Sequence, residues 1–193
     1  GIGQTLLGAF WLLVVKPPQS FIDAWGAAVT APIHEEVGKG LVVLLVLLLF
    51  KQLNLKNALV SGLIVGLSFQ VVEDCVYTFQ QIFTAKTDGF ATLIERIVHA
   101  GGTHWSFSLV FAVGMVAILT KNSGLSKKQG WFWLSMAVLA HFLLNTPYNA
   151  GLTSDTAEVT ILMLCFNLCL AIAAFMMVDK LEAHSKNRPV GRS

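Results

Sequence analysis

Five groups of ionisable or polar residues interrupt sequence that is otherwise strongly apolar. They are Glu35-Glu36, Glu73-Asp74, Arg96 with His99, His104, and His141 with Asn145. An Asp or Arg at the centre of a bilayer span costs about 2.5–3.5 kcal/mol on insertion scales, so such residues mark function by default. Carboxylates and imidazoles together support amide hydrolysis by two routes. They can hold a divalent metal that activates water, with a further Glu as general base. Alternatively, a Glu activates water directly while His and Asn donors stabilise an oxyanion. The chain has no GxSxG motif, and His34-Glu35-Glu36-Val37-Gly38 lacks the second His of an HExxH zinc helix. Ser106 and Ser108 follow His104, but their spacing does not organise either as a nucleophile.

Helical spacing sorts these groups further. Glu35 and Lys39 stand at i,i+4, a favourable same-face pair with the acid N-terminal to the base. Glu36 is rotated by roughly 100° from Glu35, so the two carboxylates need not share a task. His141 and Asn145 are also four apart, and Phe69, Glu73 and Tyr77 form a similar stripe. Each group has a structural reading beside the chemical one. Glu35 with Lys39 reads equally well as an interfacial ion pair. His99, four residues after Glu95, reads as interfacial, and a lone His104 or His141 as a hydrogen-bonded packing histidine. Glu73-Asp74, in mid-span, has few structural excuses.

The elements that must position these residues are membrane helices. Of 193 residues, 55% are hydrophobic and 12% charged, about half the charged fraction of a soluble domain. Apolar runs of about 18 residues or more read as spans. The candidates are 2–15 (short), 33–53, 57–83, 92–120, 129–147 and 157–180. Segment 19–30, with Phe21, Ile22, Trp25 and Val29 at helical spacing, reads as an interfacial amphipathic helix, and Pro32 as the first turn of the next. Gly62-x-x-x-Gly66 reads as a close helix-packing surface. Basic loops at Lys51 and Lys56 and at Lys121, Lys127 and Lys128, with the basic tail, place the C-terminus inside. Counted from the outer ends at ~1.5 Å per residue, Glu36, His141, Glu73 and His104 all fall in the outer half, His104 deepest at about 18 Å. The net charge of +2 is too small and scattered for a nucleic-acid surface, and Cys75, Cys165 and Cys169 show no disulfide or CxxC spacing.

Four segments in order then resemble a known family. Ala31-Pro32-Ile33-His34-Glu35-Glu36-Val37-Gly38-Lys39 resembles the A-P-x-x-E-E-x-x-K motif of the PrsW family of intramembrane proteases. Phe69 to Asp74 followed by Tyr77 is similar to its second motif, Arg96 with His104 to its third, and His141-Phe142-Leu143-Leu144-Asn145 to its H-x-x-x-N motif. The resemblance covers about Ala31 to Asn145, and His34 and Asp74 are its minor departures. It implies membership of the wider superfamily of CAAX-processing and bacteriocin-immunity proteases, which also holds a non-catalytic subunit of γ-secretase. Carried over, Glu35 and Glu36 match the paired glutamates, with Glu36 the preferred water-activating base. Glu73, His104 and His141 match a metal-binding or water-positioning set, zinc being the first candidate ion, and Asn145 matches its polar partner. Lys39, Asp74 and Arg96 support them.

The expectation is therefore an all-α bundle of five to six spans plus the interfacial helix. It forms one transmembrane domain over 1–182 with a polar basic tail at 183–193. The expected function is an intramembrane endopeptidase of a prokaryotic cytoplasmic membrane, cutting membrane-anchored protein substrates near the outer face. Two other classes remain open: a non-catalytic scaffold or substrate-binding subunit keeping the constellation as a polar network, and a transporter. A transporter would need polar groups continuing into the inner half, and few are there.

Overall fold

A computed structural model describes residues 14, 16–84, 88–100, 103–121, 123–149, 155 and 157–186, apart from the side chains of 95 and 98–100. Among them are six helices and no strand: α1 (Gln19–Leu49), α2 (Leu55–Thr84), α3 (Gly89–Ala100), α4 (His104–Leu119), α5 (Lys127–Leu144) and α6 (Ala157–Lys186). The helix α4 is the hub and packs against α1, α2, α5 and α6. Its composition explains this place: it is apolar all round, and most of its residues are buried.

The outer helices carry their chemistry inside out. On α2 the buried stripe is Leu55, Ala58, Leu59, Gly62, Gly66, Gln70 and Asp74, while Ile64, Val71, Val72 and Phe79 face outward. On α6, Asn167 is buried and Leu162, Phe175 and Met176 are exposed. Buried polar groups beneath an apolar exterior are the reverse of a soluble protein, and they suit a lipid solvent. Both α2 and α6 are long and apolar enough to cross a membrane, and α4 is a shorter apolar helix.

Glycine sets how closely the hub is approached. A Cβ on Gly62 would lie 2.7 Å from the Leu109 Cα and the Ser108 carbonyl oxygen. One on Gly66 would lie 2.6 Å from the His104 carbonyl oxygen and the Trp105 Cα. The Gly62-x-x-x-Gly66 surface is thus where α2 meets the N-terminal half of α4.

Two helix boundaries differ from the sequence reading. The expected interfacial segment 19–30 and span 33–53 form one helix, with Pro32 inside it. Proline removes one backbone donor and normally kinks a helix. Here the Thr30 hydroxyl donates to the Gly26 carbonyl and His34 Nδ1 to the Thr30 carbonyl, each at 2.7 Å. Ala28, Ala31 and Pro32 are buried against the bundle, so packing carries the helix through. Conversely, the expected span 92–120 is two helices, α3 and α4. Gly101-Gly102 lies between them, and each glycine costs roughly 1 kcal/mol in a helix interior. His104 therefore heads a helix instead of lying about 18 Å along one. The expected first span 2–15 falls almost wholly outside the described residues, as do 187–193 of the tail; the helix α6 runs to Lys186.

The two ends of the bundle are chemically distinct. At one, Trp25 stacks on Phe21 and Phe142 and meets Tyr148 edge-on, tying the start of α1 to the end of α5. At the other, Lys56 at the start of α2 pairs with Glu182 near the end of α6 at 3.1 Å. There Ser126 and Gln129 form a capping box that starts α5.

Candidate active site

Five helices bring the expected residues together. From α1 come Glu35, Glu36 and Lys39, from α2 Glu73 and Asp74, from α4 His104, and from α5 His141. Arg96 joins from α3. The side chains of Glu36, Lys39, Asp74, His104 and His141 are buried.

Glu36 is fully enclosed. Its Oε1 accepts from His141 Nδ1 at 2.9 Å and pairs with the Lys39 ammonium, and its Oε2 accepts from the Ser108 hydroxyl at 3.2 Å. Lys39 thus sits closer to Glu36, one turn back, than to Glu35 at 4.0 Å. It also donates to His104 Nδ1 at 3.2 Å and lies over the Phe69 ring at 4.5 Å.

His104 is held from its other side. Its Nε2 donates to Glu73 Oε2 at 3.1 Å, and the same oxygen accepts from Arg96 Nη2 at 3.1 Å. Arg96 Nε donates to Asp74 Oδ1 at 2.8 Å, and the guanidinium stacks on Tyr77. Gln70 completes the support. Its carbonyl oxygen accepts from the His104 backbone N–H and the Thr103 hydroxyl, each at 3.3 Å, and its amide donates to Asp74. One side chain thereby accepts the first N–H of the buried N-terminus of α4 and fixes a carboxylate.

These contacts decide the histidine tautomers. An ionised carboxylate only accepts, so each bonded ring nitrogen carries the proton. His104 keeps its proton on Nε2 and presents a lone pair at Nδ1. His141 keeps its proton on Nδ1 and presents Nε2, which is buried without a partner. Both nitrogens face one atom: Glu35 Oε2 lies 3.8 Å from His104 Nδ1, which also accepts from Lys39, and 3.7 Å from His141 Nε2; that oxygen makes no hydrogen bond, and the Lys39 ammonium lies 4.0 Å from it. The rings meet edge-on, and His141 stacks on Phe107 at 4.7 Å.

Such a trio fits a metal ion. Its donor atoms lie within 4.8 Å of one another. Ligands at 2.0–2.1 Å from a tetrahedral zinc stand about 3.3 Å apart, so small side-chain shifts would close the set once the Lys39 ammonium turned from His104 Nδ1 toward Glu36 alone. Both imidazoles donate their other N–H to a carboxylate, the usual arrangement behind a ligating histidine. The charges agree as well. Among the described residues, Glu35, Glu36, Glu73 and Asp74 pair with two permanent cations, Lys39 and Arg96, so the four carboxylates, when ionised, would leave two negative charges for a dication to balance.

The placement departs from the sequence grouping in one exchange. Glu73, expected among the metal set, bonds the far nitrogen of His104, whereas Glu35 faces both imidazoles. The Asn145 backbone caps α5, and among the described residues its carboxamide makes no hydrogen bond to the cluster. The side chain of His99 lies outside the described residues. Ser106 donates to the Thr103 carbonyl and Ser108 to Glu36, and both hydroxyls are buried away from the wall of the cleft between α1 and α2. Gln70 and Ser108 were given no role in the sequence reading. The signals for them were spacing: Gln70 extends the Gly62, Gly66 register by four, and Ser108 lies four after His104.

Beside the cluster, a cleft of about 850 Å³ opens between α1 and α2, and Glu35, Lys39, Phe69, Glu73 and Tyr77 are part of its wall. Buried carboxylates and imidazoles thus meet a cleft on a helical scaffold with an apolar exterior. The model of the PrsW family of intramembrane metalloproteases matches residues 2–177. Neither a curated protein nor a solved structure matches the chain. The family match spans every helix that builds this site and all but the last turns of α6, and the chain belongs to the PrsW family of intramembrane metalloproteases.

Proposed function

We propose that the chain hydrolyses a peptide bond of a membrane-anchored protein at Glu35, His104 and His141, in the outer half of the bilayer. The observation carrying this reading is the convergence of His104 Nδ1 and His141 Nε2 on one carboxylate oxygen that makes no hydrogen bond, at the edge of a cleft. These three residues would hold a divalent ion, zinc first among candidates. Bound there, the ion would supply Lewis-acid activation of water and of the scissile carbonyl.

The chain's own residues do the rest. Glu36 and Glu73 fix the two imidazoles through their far nitrogens, and Lys39 and Arg96 keep those carboxylates compensated. Glu73 shares one oxygen between His104 and Arg96, while its second has no hydrogen bond among the described residues. That oxygen takes a proton from the attacking water and returns it to the leaving amine. Asn145, one turn beyond His141, has a carboxamide free to donate to the developing oxyanion. Fully enclosed Glu36 has no open oxygen for water, which moves the base from Glu36 toward the cleft.

Five crossings, by α1, α2, α4, α5 and α6, put the aromatic end outside and the Lys56 end inside, with the C-terminus cytoplasmic; segment 2–15 would add a sixth. These helices form one domain that takes in α6 to Lys186, so the tail expected from 183 begins after it.

Metal analysis of the purified full chain, paired with cleavage before and after chelation, tests the reading. The expected result is one equivalent of bound zinc, lost in His141→Ala, with cleavage abolished by chelation and by Glu35→Gln. Full activity in metal-free protein would instead favour direct activation of water by a glutamate. Full activity in Glu35→Gln would remove the site.

A further inference from the structure

The cleft between α1 and α2 is longer than the catalytic cluster requires. Glu35 and Glu73 face each other across it, linked through His104. Below them the walls continue to Val42 on α1 and Val65 on α2; above them they reach Val76 and Gln80 on α2. Val42 lies seven residues from Glu35, and Gln80 seven from Glu73. At 1.5 Å per residue the cleft therefore extends about 10 Å to each side of the carboxylates, roughly 21 Å in all.

That length and the volume discriminate between conformations of an occupant. A helical segment about 10 Å across and 21 Å long fills roughly 1600 Å³. The cleft offers about 850 Å³. An extended strand covers 21 Å in about six residues at 3.3 Å each. An extended backbone also needs partners for N–H and C=O groups that a helix satisfies internally, a need that is acute in lipid. The wall supplies them: the Ser68 hydroxyl and the Gln80 carboxamide have no hydrogen-bond partner among the described residues, although the surrounding wall is largely valine.

We propose that this cleft binds the substrate as an unwound, extended segment of about six residues, three on either side of the bond facing Glu35 and Glu73. Val42 and Gln80 contact its two ends. The proposal rests on the protease reading for its purpose, but binding can be read separately from cleavage.

The test uses the full chain in lipid nanodiscs with Cys75, Cys165 and Cys169 replaced by Ser and with Glu35→Gln to prevent turnover. Val42→Cys, Gln80→Cys and, as a lipid-facing control on α6, Ile172→Cys are introduced singly. The probes are synthetic bilayer-spanning peptides, Leu-rich with a central Gly-Gly, each carrying one cysteine at successive positions. The expected disulfide yield at Val42→Cys and Gln80→Cys exceeds that at Ile172→Cys at least tenfold. The probe positions crosslinking best to the two ends should lie about six residues apart. A separation of about fourteen, the value for a helix over the same distance, overturns the extended conformation. Yields at both cleft positions no higher than at Ile172→Cys overturn the cleft as the binding site. Cleavage of the same peptides by the chain with Glu35 intact is scored independently. Cleavage without cleft crosslinks defeats this inference alone, and cleft crosslinks without cleavage defeat the protease reading alone.

Discussion

At the scale of single residues, the two adjacent glutamates have diverged completely in environment. Successive helical positions are rotated by about 100°, which turns Glu36 into the bundle and Glu35 toward the imidazoles and the cleft. On the proposed chemistry they should fail differently. Glu35→Gln removes a group that faces the reacting atoms. Glu36→Gln leaves an acceptor for His141 but uncouples Lys39, so cleavage and metal affinity should fall together by about 10–100-fold, as for other partners of ligating histidines. Parallel titrations of zinc and measurements of cleavage check this. Total loss of cleavage in Glu36→Gln with unchanged zinc affinity would return the base to Glu36. Ser108→Ala removes the donor to the other oxygen of the same buried carboxylate and should cost about 1.5–3 kcal/mol in thermal or denaturant unfolding. A serine nucleophile at Ser108 would instead show abolished turnover with stability intact.

At the scale of elements, the site depends on how closely α2 and α4 pack. Gln70 and Glu73 reach the N-terminus of α4 because Gly62 and Gly66 let the backbones approach. A methyl group on Gly66 would press on main-chain atoms of His104 and Trp105, which cannot rotate away. Gly66→Ala is therefore expected to lower stability by about 1–3 kcal/mol and to cost more in activity than in stability, because the strain falls on His104. Gly38→Ala is the contrasting case: its Cβ would meet nothing within 4 Å, and the helix should be unchanged or firmer by up to about 1 kcal/mol. Thermal melts of the two variants in the same detergent decide the matter, and equal melting temperatures would show that the contact is slack.

At the scale of the whole molecule, the proposed topology has an odd number of crossings between the turn after α5 and the end of α6. In a background without native cysteines, Asn149→Cys and Ser185→Cys should react with a membrane-impermeant thiol reagent from opposite faces of sealed vesicles. Labelling from one face would rule out α6 as a span. The same geometry places the polar cluster near the aromatic end, under Trp25, Phe142 and Tyr148, and leaves the Lys56–Glu182 end to the basic loops.

Much of this was determined by sequence alone. Apolar runs too long for a soluble fold, carboxylates and histidines within them, and basic loops at alternate connections specify a helical membrane protein with a polar centre, and four ordered motifs point to its family. These signals are local: each depends on residue type and on spacing within one helix. What sequence left open was relational. Whether Pro32 ends a helix or is carried through one was decided by the packing of Ala28, Ala31 and Pro32. That 92–120 is two helices follows once His104 is seen capped by Gln70, a contact across 34 positions. The exchange of places between Glu35 and Glu73 is also a matter of which ring nitrogen each one meets, and ring orientation is set by carboxylates arriving from other helices. The residue types of the candidate site were written into single helices. Their arrangement around one another exists only where the helices meet.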